Sequence, residues 1–207
     1  MEGQDREGKK IKMKIFDLYD IDAVVVTDPA LKRIINLKPK LVLKSHGRSR
    51  GKFAQTKINL VERLGNLIAV PGHRNKKHII MTSMASGKYS KNMRVVLKAF
   101  KIIEDKTKQN PVQVLVNAVE KASPREEVTT IEYGGAKYPQ AVDCSPMRRV
   151  ALTLRLIVHG AYDKAFGSKT KIEAALANEI MLAAAGSNDS AAVKKKEELE
   201  KSANSAR

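Results

Sequence analysis

At Asp28-Pro29, Asn110-Pro111 and Ser145-Pro146 a side chain of helix-capping type is followed at once by proline. A short polar side chain can accept a hydrogen bond from an unpaired amide of the first helical turn, and proline, which has no amide to leave unpaired, suits the first helical position. These pairs therefore predict helix starts before any apolar residue is considered. The apolar spacing agrees. "NPVQVLVNAVEKA" sets Val112, Leu115, Val116 and Val119 on one helical face, "SPMRRVALTLRLIVHGAYDKAF" does the same with Val150, Leu154, Ile157 and Ala161, and "PALKRIINL" opens a shorter segment.

Three more stretches read the same way. "NLVERLGNLIAV" places Leu60, Val61, Leu64, Leu67 and Ile68 together and is stopped by Pro71-Gly72. In "SKNMRVVLKAFKIIEDKT" Ser90 is the expected cap, Met93, Val96, Phe100 and Ile103 face inward, and Lys91, Arg94, Lys98 and Lys101 recur on another face. "TKIEAALANEIMLAAAG" is Ala-rich and ends on Gly186, a residue suited to the left-handed turn after a helix. "AAVKKKEELEKSANSAR" is charged all round, with Glu197 and Lys201 at a stabilising spacing, and reads either as a frayed tail or as a docked helix.

Against this helical background "VTTIEYGGAKYPQAV" stands out. Gly134-Gly135 provides the positive φ of a two-residue hairpin turn, which pairs Glu132 with Lys137 and Ile131 with Tyr138. Two strands alone are marginal in water, so the ribbon must lean on the core or on a partner. The expected fold is mainly α: a single-domain bundle of about six helices with one projecting β-hairpin and a basic N-terminal extension. Residues 1–54 are read as that extension, its first 20 or so residues a polar tail and "KPKLVLKSHGRSRGKFAQTK" a basic loop or arm. Residues 55–207 form the helical domain, with the ribbon at 127–143 and the charged C-terminal helix or tail at 190–207.

The net charge is +17, and its placement is one-sided. Between Leu31 and Ile103 eighteen Lys and Arg face the single acid Glu62, while the rest of the chain is balanced in sign. A solvated surface usually interleaves acids with bases, so this asymmetry points to a polyanion whose phosphates would exchange condensed counterions for these side chains. Aromatics are only 4% and Trp is absent, which disfavours a base-stacking platform and favours reading the shape and backbone of a folded nucleic acid.

Catalytic and metal patterns are not met. Gly87-Lys88 lacks the Walker spacing, because Thr82 and Tyr89 stand where Gly and Ser or Thr are needed. Cys144 beside a helix start, with His159 downstream, could form a nucleophilic pair, but Ser145-Pro146 accounts for that segment as a cap. His46, His73 and His78 sit among cations without carboxylate or Cys company, and His159 reads as a core-edge residue. A lone cysteine excludes an internal disulfide and suits a reducing, cytoplasmic setting. No run reaches membrane-span length. No cofactor, metal, membrane or small-molecule substrate is expected, nor an enzymatic activity. An architectural DNA-binding protein using the helical core and ribbon, with Pro139 as a wedge, is the alternative to an RNA-binding one.

In order along the chain, "NLVERLGNLIAV", "GKYSKNMRVVLKAF", "NPVQVLVNAVEKASPREE", "YGGAKY", "VDCSPMRRVAL" and "KKKEELEKSANSAR" resemble the universal seventh protein family of the small ribosomal subunit, whose eukaryotic counterpart is numbered five, in an archaeal style. The resemblance runs from about residue 55 to the C-terminus. It implies a structural constituent of the small subunit, a primary binder of the 3′ major domain of the ribosomal RNA that organises head assembly. Candidate RNA contacts are Arg48, Arg50, Lys52, Lys57, Arg63, Arg74, Lys76, Lys77, Lys88, Lys91, Arg94, Lys98, Lys101, Arg148 and Arg149. By the same resemblance Tyr133, Gly134, Gly135, Lys137 and Arg207 lie near the exit-site tRNA and mRNA path, with the eleventh small-subunit protein as a neighbour. The ribbon here is weakly charged and includes Glu132, whereas bacterial relatives carry a more basic arm.

Overall fold

Helix starts fall where the cap and proline pairs put them. In the computed structural model, which describes residues 13–45, 49–71 and 86–207, the oxygens of Asp28, Asn110 and Ser145 accept from the amides of Ala30, Val112 and Arg148. Among these residues the order is α1 (Pro29–Lys32), a 3-10 turn (Ala54–Lys57), α2 (Leu60–Ala69), α3 (Tyr89–Thr107), α4 (Pro111–Ala122), β1 (Glu126–Tyr133), β2 (Ala136–Asp143), α5 (Pro146–Ala165), α6 (Ile172–Ala185) and α7 (Ala191–Ser205). The mainly α bundle with one hairpin is thus as expected.

α6 is the axis. It packs on α3, α4, α5 and α7, and its Ala175, Leu176, Ala177, Ile180 and Ala183 are all buried. Small side chains let four neighbours approach one helix closely, which is why its sequence is Ala-rich and apolar on most sides. One charge lies in this interior. Glu179, fully buried, takes Lys164 Nζ of α5 at 2.6 Å, the Ser190 hydroxyl at 2.8 Å and the Ala192 amide of α7 at 3.3 Å. Gly160 makes the room: a Cβ there would meet Glu179 Cδ at 3.0 Å and Ala191 Cβ at 2.8 Å.

The C-terminal segment is therefore a docked helix and not a frayed tail. Ser190 caps α7, and Ala192, Val193 and Ala203 are buried. α7 also braces the hairpin: it packs on both strands, the Arg125 amide donates to Glu200 Oε1 at 3.0 Å, and Arg207 pairs with Glu126. The hairpin register is the expected one, Glu132 opposite Lys137 and Ile131 opposite Tyr138, and Gly134 and Gly135 hold φ of 58° and 82°. Its outer part, residues 129–140, is exposed throughout.

Two expectations are corrected. α3 begins at Tyr89 with extended Lys88 before it and no side-chain cap, so Ser90 already lies inside the first turn. The polar-tail reading also fails beyond residue 13: Ile15 is 0% and Tyr19 is 8% exposed, and Tyr19 meets Phe100 edge-on at 5.8 Å. From there the chain runs along α4, and side chains of that helix and of its cap Asn110 hold its backbone. Asn110 Nδ2 donates to Asp20 O at 2.5 Å, Gln113 takes the Val25 amide at 2.8 Å and returns a bond to Val25 O at 3.0 Å, and Glu120 accepts from the Thr27 and Asp28 amides. Leu31, Ile35 and Leu43 continue into the same core.

Replacing Glu179 by Ala is expected to cost about 2–4 kcal/mol, because the Ser190 hydroxyl and Ala192 amide lose their acceptor in a dry site and a cavity opens. Glu179→Gln should cost less, since it keeps the shape and one acceptor oxygen. Urea midpoints at constant m-value measure both.

Candidate nucleic-acid interface

The cationic stretch is shaped by what happens to its one acid. Glu62 in α2 is 5% exposed and accepts the Ser45 amide at 2.6 Å. The carboxylate is spent on holding down the segment before α2, and the described surface of residues 31–103 consequently shows cations with no exposed acid among them. Tyr89 completes the joint. Its hydroxyl donates to the Leu43 carbonyl, Lys44 Nζ lies 5.4 Å from its ring centroid at cation-π range, and burial, helped by nearby Glu62, pushes its pKa up to about 12. The phenol thus remains a donor at neutral pH. This joint brings Lys44, which the sequence gives no reason to single out, to the start of α3, where Lys88 and Lys91 are exposed.

The candidate residues divide by surroundings. Arg50, Lys52, Lys57, Lys88, Lys91, Arg94 and Lys101 are exposed. Lys98 is exposed too, yet it pairs with Glu173 of α6 at 3.3 Å. Arg148 is held by Glu127 of β1, one bond being 2.6 Å, an interaction that also tethers the hairpin to α5. Arg149 is 8% exposed; its guanidinium sits 2.9 Å from Asp28 Oδ2 and 3.0 Å from the Ser123 hydroxyl. It locks the N-terminal segment to α5 instead of facing solvent. Arg63 is likewise buried, at 7%. Arg48, Arg74, Lys76 and Lys77, with His46, His73 and His78, lie outside the described residues. Tyr133, Gly134, Gly135 and Lys137 are exposed on the hairpin, and Arg207 lies at its base.

The alternative chemistry receives no geometric help. Cys144 is buried and its thiol is pushed up by burial and by Glu127, which opposes the thiolate a nucleophile needs. His159 Nε2 donates to the Pro71 carbonyl at 2.7 Å, pinning the end of α2 to α5 as Tyr162 does through Ile68 O at 2.8 Å. Pro139 stands in β2 opposite Thr130, away from the hairpin tip. Among the described residues no helix is long and apolar enough to cross a membrane.

A helical bundle that buries the one acid of a long cationic stretch and, among the described residues, leaves most of that stretch's cations exposed has the surface of a nucleic-acid-binding protein. Residues 31–207 match the family described as ribosomal protein S7p/S5e, and the chain belongs to that family, whose members are structural and non-enzymatic. The small ribosomal subunit protein uS7 of Nanoarchaeum equitans is 48% identical over 198 residues, covering 95% of this chain and 100% of the relative. The uS7 proteins of Methanothermobacter thermautotrophicus and Archaeoglobus fulgidus are 47% and 45% identical, over 93% and 96% of this chain and 98% and 97% of their own lengths. The archaeal style of the sequence agrees with these relatives.

Asp28→Ala should lower stability by about 1–3 kcal/mol, since it orphans part of buried Arg149 and removes the α1 cap. Burial acts to raise the Asp28 pKa, but the Ala30 amide and Arg149 outweigh it and leave it lowered. Its contribution is therefore complete above the ordinary carboxylate range and lost as pH falls through the lowered folded value. The stability difference between wild type and Asp28→Asn should shrink towards zero in acid, as read by denaturant titration at a series of pH values.

Proposed function

We propose that this protein is a structural constituent of the small ribosomal subunit in the cytoplasm, and that it binds ribosomal RNA through the exposed cations of residues 31–103. The observation that carries this reading is the inward Glu62, which leaves that surface free of carboxylates within the stretch. Phosphate contacts of this kind position an RNA by its backbone and not by base identity. The near full-length likeness to proteins named small ribosomal subunit protein uS7 supports the assignment, and favours it over the architectural DNA-binding alternative.

In finer terms, the RNA partner is the 3′ major domain, bound early enough to organise assembly of the subunit head. Within residues 1–54 the basic stretch before α2 acts as an arm, held by the part from Ile15 to Leu43 that packs into the core, and residues 55–207 supply the rest of the RNA-binding surface. The hairpin tip, Tyr133 to Lys137, and Arg207 lie near the exit-site tRNA and mRNA path, and the eleventh small-subunit protein is a neighbour. The outer hairpin supports a contact of this kind: among the described residues nothing covers 129–140, and the bracing seen there is at the base of the ribbon.

Charge reversal at Lys91, Arg94 and Lys101 should weaken binding to a 3′ major domain transcript and flatten the dependence of affinity on salt, by about one unit of slope for each phosphate no longer neutralised. Helicity should be unchanged, because these side chains lie on the solvent face of α3. Lys98 should matter less, since Glu173 already neutralises it. An unaltered salt slope, or preference for duplex DNA over the transcript at matched salt, would overturn the reading.

A further inference from the structure

α2 and α5 enclose a small cleft of about 170 Å³, lined by Gln55, Arg63, Asn66 and Arg155 over an apolar floor that includes Leu67 and Leu154. Arg63 is the anomaly in it. The residue is 7% exposed, its Nη1 is buried with no hydrogen-bond partner among the described residues, and none of the ion pairs found there involves it. Burial pulls its pKa down, yet a guanidinium does not give up its proton in a protein. The free protein therefore holds a desolvated positive charge beside a polar opening, an arrangement that is unfavourable until an anion arrives. Every other buried charge seen at full occlusion or near it has a partner: Glu179 has Lys164, Arg149 has Asp28, and Glu62 has the Ser45 amide.

Resting on the RNA-binding reading above, we infer that this cleft is the seat of one RNA backbone phosphate, held by the Arg63 guanidinium from below, by Arg155 at the exposed rim, and by the Asn66 and Gln55 amides at its sides. The chemistry is selective for an anion. Two guanidinium groups and two amide NH2 groups supply a convergent set of donors, guanidinium planes match phosphate oxygens in pairs, and the volume admits one phosphodiester. An ion pair made to a guanidinium as buried as that of Arg63 is screened less than one on the exposed stripe of α3, so this single phosphate contributes more than one bound there. It would also fix the angle at which the RNA crosses the α2 and α5 pair, because Arg63, Asn66 and Arg155 stand on those two helices.

The test uses the full chain and a 3′ major domain transcript, with Arg63→Met and Arg155→Gln. Arg63→Met keeps the bulk and removes the uncompensated charge. It should leave the melting temperature of the free protein equal or raised while lowering RNA affinity by about tenfold to hundredfold and reducing the salt slope by about one. Arg155→Gln lies at the exposed rim, so folding is not at stake; it should lower affinity less, and the double variant should fall short of the two single effects combined. If Lys91 and Arg94 variants weaken binding while both cleft variants bind like wild type with an unchanged slope, the cleft assignment is overturned and the RNA-binding reading survives. If wild type shows no salt-dependent binding of the transcript, the broader reading fails first. Inorganic phosphate that stabilises wild type as much as saturating RNA does, with RNA affinity indifferent to Arg63, would make the seat one for a free anion and overturn the assignment as well.

Discussion

Glu179 sets the terms on which the bundle can close. A fully buried carboxylate must be met by donors in a definite arrangement, and the donors here come from three directions: Lys164 on α5, and the Ser190 hydroxyl and Ala192 amide at the start of α7. Apolar contact alone would allow α6 to rotate or slide against neighbours that offer it mostly Ala and branched aliphatic surfaces. The carboxylate removes that freedom, because any other register strands a charge away from water. Gly160 is the necessary counterpart, since no side chain could occupy its place without displacing Glu179 or α7. With α7 seated, the hairpin acquires a base, through Glu200, Glu126 and Arg207. The ribbon's projection is thus a remote consequence of one interior charge.

The same economy of acids governs the surface. Where the chain is cationic its one carboxylate, Glu62, is turned inward to hold the Ser45 amide, and Lys98 is offset from outside by Glu173 of α6. Acids elsewhere hold cations that would otherwise be free: Glu127 holds Arg148, and Asp28 holds Arg149. What is left exposed is a selected subset of the cations, concentrated before α2 and along α3. The bundle's ion pairs therefore decide which positive charges remain available to a polyanion. Arg63 stands apart as a buried cation whose partner the described chain does not provide.

Much of this was legible in advance. Asn110-Pro111 and Ser145-Pro146 placed helix starts because a cap acts over three residues and needs no distant contact. The hairpin register followed from Gly134-Gly135, since a two-residue turn leaves only one pairing. Ser90 misled because a cap is defined by backbone conformation as well as by residue type, and extended Lys88 takes that place while Asn92 bonds back to Ser86 O at 2.8 Å. Ile15 and Tyr19 were hidden in a stretch read as a polar tail, since two buried residues in a turn carry no helical or strand period. The charged α7 left open whether it was tail or docked helix, because only Ala192, Val193 and Ala203 enter the core.

For the candidate site, the sequence by itself determined where the charge lies, because net sign over residues 31–103 is a property of composition and no fold can alter it. It also determined the element types, which depend on contacts a few residues long. Only the tertiary structure decided which cations are accessible. Arg148 and Arg149 are neighbours of identical type, yet one pairs with β1 at the surface and the other is buried against the N-terminal segment. Arg63 meets Arg155 from another helix across a cleft that neither helix has alone. Such outcomes depend on partners dozens of residues away, and burial and ion pairing between distant segments leave no local pattern to read.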